Sequence, residues 1–239
     1  MKHLTVMTTI VLLCGVPTVQ AASATAVSVA TNGGSSSATA QAVGNADATA
    51  YAGATNGGRA VADSTAIGNR RGYAASDAVA IADRGLAVST SRADARGQRG
   101  GRAVATSESV AGAIGGVAIS NSEAVARGAF GGTAHSRSYS TALSRWGLAV
   151  SDSKTSSNGL FGGRATSVSD SLSDTYGGVA TSRVMTTSDA RYRATAVADG
   201  IGVSISGQKR HSQVDARAVS RSTLRASGRS RVAAVEVRR

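Results

Sequence analysis

The sequence predicts an all-β chain: a β-solenoid (β-helix or β-roll) of about fifteen-residue coils with a thin Ala/Ser core. Three observations carry this. A glycine recurs at Gly58, Gly72, Gly85, Gly101, Gly116, Gly132, Gly147, Gly163 and Gly178, and the second residue after each is alanine. Two places beyond that alanine stands Ser76, Ser89, Ser120, Ser136, Ser151, Ser167 or Ser182, with Ala62 and Ala105 completing the set. The intervening positions carry larger residues, as at Val61, Val88, Val104, Ile119 and Val150. Alternation with period two is a strand pattern. The many glycines, serines and threonines, with no apolar stripe at helical spacing, outweigh the helix propensity of alanine.

Each unit reads as two short strands and two turns, with Gly-Gly pairs marking corners. Coils stacked at about 4.8 Å would build residues 58–192 into a rod of about 40–45 Å. Arg59, Tyr73, Arg102 and Arg164 directly follow anchor glycines and resist burial, which favours the small residues inside. The inverted arrangement, with Val and Ile inside and a flat Ala/Ser face outside, is the alternative. Alanine methyls bury little area, so stability has to accumulate from stacking between neighbouring coils.

Four segments follow in chain order. Residues 1–21 read as a signal peptide: Lys2 and His3, then a mostly apolar run from Leu4 to Val16, then Val19-Gln20-Ala21 for cleavage. That implies a secreted chain, destined for the extracellular space, the cell surface or the periplasm. The apolar run is too short to span a bilayer, and no later segment is a transmembrane candidate. Cys14 and Pro17, the only cysteine and proline, fall in this leader, so the exported chain has no disulfide. Residues 22–57 are a low-complexity N-terminal segment or cap. Residues 58–192 are the repeat, and 193–239 form a basic C-terminal segment whose alternating stretches suggest degenerate coils.

Charge is the second bulk signal. Lys+Arg is 26 against 14 acids, for a formal charge of +12, and all but Lys2, Lys154 and Lys209 of the bases are arginine. Lys209, Arg210, Arg217, Arg221, Arg225, Arg229, Arg231, Arg238 and Arg239 concentrate the excess at the C-terminal end, against Asp215 and Glu236. These nine are the candidate polyanion-binding residues, the partners being acidic polysaccharide, lipopolysaccharide or DNA. The competing reading is that arginine keeps a polymerisable protein soluble and blunts its edges.

Two columns stand out. Phe130, Trp146, Phe161 and Tyr176 each precede an anchor glycine by one or two residues, and stacked at one corner they would form an aromatic ladder. Such a ladder either shields the turns or offers a contact strip for sugar rings, lipid or a neighbouring rod. Ser76, Ser89, Ser120, Ser136, Ser151, Ser167 and Ser182 form a serine ladder whose hydroxyls can bond along the stack. Enzyme signals are nearly absent. Glu108 and Glu123 take the same position in successive units, one rung apart, and read as a solvated pair rather than an acid/base couple. No cysteine, histidine or carboxylate cluster suits a metal, no phosphate-loop pattern occurs, and no cofactor or small-molecule substrate is expected.

Ser64 to Gly68 (STAIG), Asp77 to Ala82 (DAVAIA) and Val117 to Ser122 (VAISNS) resemble the β-roll head repeats of trimeric autotransporter adhesins. The resemblance covers Gly58 to Gly178. It does not extend to that family's heptad stalk or its apolar strand anchor. What it implies is a secreted, repeat-built adhesive or matrix module. The expectation is therefore a non-enzymatic structural or adhesive protein of the cell surface or extracellular matrix, acting through self-association, fibre formation or cell-surface glycans. The alternatives are a polyanion-binding module and an ice-binding protein, the latter carrying Ser-x-Ser where Thr-x-Thr is usual.

Overall fold

In a computed structural model the described residues are 21–31, 33–68, 73–97, 102–129, 133–160, 164–191, 195–206, 211–223 and 227–238. They form fourteen strands: β1 (Ala21–Ala30), β2 (Ser35–Ala54), β3 (Arg59–Gly68), β4 (Tyr73–Asp83), β5 (Leu86–Gly97), β6 (Arg102–Ile114), β7 (Val117–Gly128), β8 (Thr133–Ser144), β9 (Leu148–Leu160), β10 (Arg164–Thr175), β11 (Val179–Arg191), β12 (Thr195–Ser206), β13 (Ser212–Thr223) and β14 (Ser227–Arg238). Every pairing is parallel and links each strand from β3 onward to the next but one. Two sheets result. The even sheet holds β1, the second half of β2, and β4 to β14 by even number; the odd sheet holds the first half of β2, and β3 to β13 by odd number. Among the described residues no helix is long and apolar enough to cross a membrane.

The chain is therefore a β-solenoid with a thin Ala/Ser interior, in which the fifteen-residue unit is one long strand and one corner. The two short strands and two turns expected of each unit do not occur. Two units complete a circuit, so Leu86 pairs with Val117 and Val117 with Leu148. The physical reason is that alternation runs unbroken for ten to thirteen residues, straight through Gly112 in β6 and Asn158-Gly159 in β9. The result is a flat slab rather than a narrow rod: strands of about 40 Å, with the eight-stranded even sheet stacked to a height of about 34 Å. β1 and β2 extend the stack before the first anchor glycine, and β12 to β14 extend it past the last.

The small residues face inward, which settles the orientation left open by the sequence. Ala60, Ala87, Ala118, Ala149 and Ala180 in the odd sheet, and Ala74, Ala103, Ala134 and Ala165 in the even sheet, are 0–1 % exposed. All seven serines of the ladder are fully buried. Most of their hydroxyls bond across the interior between the sheets, while Ser136 and Ser167, in register on β8 and β10, bond up one column. In the first spine Ser109 donates to Ser89, Ser120 to Ser109, Ser140 to Ser120, Ser151 to Ser140, Ser171 to Ser151 and Ser182 to Ser171. A second spine zigzags from Ser64 through Ser76, Ser91, Ser107, Ser122, Ser138 and Ser153 to Ser169. Ser136 and Ser167 belong to a third group with Ser157. A hydroxyl one carbon from the backbone reaches the opposite sheet's carbonyl, so the sheets stand far closer than the roughly 10 Å of ordinary face packing.

One corner is built on glycine. Where even strands end and odd strands begin, Gly34, Gly58, Gly85, Gly116, Gly147 and Gly178 stack, and a Cβ on any of the last five would run into the carbonyl oxygen of the glycine one coil below. That same oxygen accepts from the next residue's N–H: Leu86 donates to Gly58 at 3.3 Å, Val117 to Gly85 at 3.0 Å, Leu148 to Gly116 at 3.2 Å and Val179 to Gly147 at 3.0 Å. The anchor glycines of the even strands lie outside the described residues.

Candidate functional site

With the interior consumed by packing, function has to reside in the outward columns. Because consecutive units lie in opposite sheets, neighbours in sequence point to opposite faces of the slab. Glu108 and Glu123 are accordingly not one rung apart. Glu108 pairs in register with Asp77 and Tyr139 on the even face, whereas Glu123 lies on the odd face between Arg92 (3.9 Å) and Lys154 (3.8 Å).

The even face carries two adjacent apolar columns. One runs Val27, Tyr51, Val79, Val110, Thr141, Leu172, Val203 and Val235; the other runs Val29, Gly53, Ile81, Gly112, Leu143, Asp174, Ile205 and Val237. They approach the glycine corner, where Ile114, Trp146 and Tyr176 stand exposed. Between Ile81 and Leu143 the missing side chain of Gly112 opens the surface, since a Cβ there would meet no atom within 4 Å. The outcome is a groove of about 740 Å³ lined by Ile81, Val110, Gly112, Ile114, Leu143 and Ile205, together with Arg145, Asp174 and Tyr176.

Of the aromatic candidates, Trp146 and Tyr176 meet edge to face at 5.2 Å between ring centres, and the Trp146 ring lies against Gly177 in the next coil. Phe130 and Phe161 fall outside the described residues. They precede even strands, β8 and β10, whereas Trp146 and Tyr176 precede odd strands that start at the other edge, so a single four-membered ladder does not follow from the topology. The serine candidates are all spent inside, so among the described residues the Ser-x-Ser pairs present no array to water.

The opposite edge is basic. Arg96 and Arg127 end odd strands in register, and Arg102 and Arg164 begin even strands on either side of Thr133. On the even face, burial and then the positive charges of Arg137, Arg102 and Arg164 hold His135 below its ordinary value of 6.5. This arginine group was missed by the sequence reading, which looked only to the C-terminal end. There, Arg217 and Arg221 lie on β13 and Arg229 and Arg231 on β14, opposite Val197 and Asp199, all exposed; Arg238 closes β14. Lys209, Arg210, Arg225 and Arg239 lie outside the described residues. Three carboxyls are pushed above their ordinary value by burial: Asp77, with Glu108 and Asp47 adding repulsion; Asp152, opposed by Arg183 and Lys154; and Asp170, opposed by Arg137.

The fold and these surfaces define a parallel β-solenoid slab with an apolar groove on its even face beside the glycine corner and a basic opposite edge. No protein-family model, curated protein or solved structure matches the chain.

Proposed function

We propose that the chain is a secreted, non-enzymatic structural or adhesive protein of the cell surface or extracellular matrix, and that it grips an extended glycan along the even face. The supporting observation is the groove beside Tyr176 and Trp146. Apolar and aromatic side chains suit the C–H face of a sugar ring, while Arg145 and Asp174 in the same lining suit its hydroxyls. Its axis crosses successive coils, so a polymer lying in it meets the columns several times and gains by avidity. Retention of the exported chain on insoluble polysaccharide tests this. Filling the groove with Gly112→Trp abolishes retention while leaving the melting temperature within a degree or so, because the added ring enters open space. Tyr176→Ala weakens retention by about two- to tenfold, the worth of one aromatic contact. Undiminished retention by Gly112→Trp would sink the reading.

A second reading, polyanion binding, is favoured by the arginine group around His135. Retention on heparin should then fall steeply with salt, each lost arginine making the dependence shallower. Arg102→Gln/Arg164→Gln elutes at lower salt if the mid-slab edge holds the polymer, and Arg229→Gln/Arg231→Gln does so if the terminal coil holds it. Retention tightens at acid pH, below the ordinary histidine range because His135 is held down, since its protonation adds a positive charge to the group. Elution unaffected by either pair would exclude both placements.

A further inference from the structure

We propose that the polymer in the even-face groove is an acidic glycan, its sugars carrying carboxylates, and that Arg84 selects for that charge; this rests on the glycan reading of the groove. Backbone strain singles out Arg84. It stands at the glycine corner with φ 52°, in the left-handed region that favours glycine. The corner residues in register with it one coil to either side are Gly57 and Gly115, with φ 86° and 70°. An arginine where the neighbouring turns use glycine is held at a conformational cost, and such residues gather at binding sites.

Arg84 adjoins the groove. Asp83 pairs with Ile114 of the lining, and the Arg84 N–H donates to the Ile114 carbonyl at 2.6 Å. Its stem reaches across Gly115, with Cγ 3.8 Å from where a Cβ would stand and no other atom within 4 Å of that point. One coil further on, the Trp146 ring lies over Gly177, away from Gly115. The floor between Arg84 and Trp146 is thus open. Arg145, in the groove lining beside Trp146, stands two coils from Arg84, about 9.6 Å along the stack, with Ile114 between them. Both arginines are exposed, and among the described residues neither lies within ion-pair distance of a carboxylate. Asp83 and Asp174, the carboxylates of this corner, are half-buried, so its outermost charge is positive. A sugar ring packed on Ile114 and Trp146 therefore has a cation on either side along the polymer. A carboxylate on that ring or its neighbour gains a charge-assisted hydrogen bond that a hydroxymethyl group cannot match.

Trp146, the only tryptophan, reports binding by its fluorescence. The chain is titrated with oligomers of β-1,4-linked glucuronate and with cello-oligosaccharides, which carry a hydroxymethyl group in place of each carboxylate. The wild type is expected to bind the glucuronate oligomers about fivefold more tightly, the upper end for one exposed ion pair. Arg84→Gly brings the ratio of the two affinities close to one, yet melts no lower than the wild type, because glycine takes φ 52° without strain. Arg84→Lys, which keeps the charge, keeps part of the preference. Equal affinity of the wild type for both oligomers, or a preference intact in Arg84→Gly, overturns the selection by charge and leaves the groove a glycan site. Binding of neither oligomer brings down the glycan reading itself, and this inference with it.

Discussion

Gly116→Ala is expected to cost at least about 3 kcal/mol, the upper end of what overpacking exacts, and to split the stack at β7. Gly116 sits between Gly85 and Gly147 in the glycine column, and its added methyl would occupy the place of the Gly85 carbonyl oxygen. That oxygen is backbone and accepts from Val117 N–H at 3.0 Å, so it cannot swing aside without breaking the first ladder bond of the coil. The Gly116 carbonyl is in turn the acceptor for Leu148 and the wall against which Gly147 packs, so a shift propagates upward. In a stack held by nearest-neighbour contacts, one broken interface uncouples the coils on either side. Denaturant titration should show a lowered midpoint or two transitions, and hydrogen exchange should accelerate first in β5, β7 and β9. Gly112→Ala is the control. No atom lies within 4 Å of its Cβ position, so the same chemical change should stabilise by roughly 0.5 kcal/mol through the unfolded chain. If both variants melt alike, the column is not what fixes this corner.

That contrast bears on how much of the molecule was legible in the sequence. The period, the strand pattern and the small interior follow from Gly-x-Ala and from the buried-type residues at alternate positions. The number of units per circuit did not follow, because a stretch that alternates for twelve residues fits either two short strands and a turn or one long strand. A finer signal was present. From Leu86 onward the residue after the anchor alternates between apolar (Leu86, Val117, Leu148, Val179) and polar (Arg102, Thr133, Arg164), a doubled period that assigns alternate units to different faces. Taken that way, Glu108 and Glu123 separate, Trp146 and Tyr176 share a corner, and Arg102 and Arg164 converge on His135. The groove was not legible. Gly112 lies outside the anchor series, and its effect depends on Ile81 and Leu143 flanking it from strands about thirty residues away in either direction.

Ser122→Val is the second large effect, expected to destabilise by about 3 kcal/mol, and it tests whether the interior is governed by volume as well as by hydroxyl bonds. Ser122 donates to Ser107 at 3.0 Å between the Oγ atoms and accepts at its carbonyl from Ser138, so valine removes a buried donor and adds bulk to a thin interior. Ser122→Ala, which removes the hydroxyl alone, should cost about 1–2 kcal/mol. The chain itself shows how a larger residue is accommodated. Val184 takes the equivalent position two coils on, fully buried, and the strand across from it carries Gly200, where a Cβ would lie 2.8 Å from Val184 Cγ1. Val214 faces Gly202 in the same way, again at 2.8 Å. Valine on one sheet is thus matched by glycine on the other, holding the filled volume of the thin core near constant. Ser138 occupies the place relative to Ser122 that Gly200 occupies relative to Val184, because Ser138 aligns with Ser169 and Ser169 with Gly200. Ser122→Val/Ser138→Gly should therefore be more stable than Ser122→Val alone, by an interaction of about 1 kcal/mol or more, even though Ser138→Gly by itself destabilises. Strict additivity in that cycle would mean that lost hydroxyl bonds set the cost and that sheet separation adapts freely to what lies between.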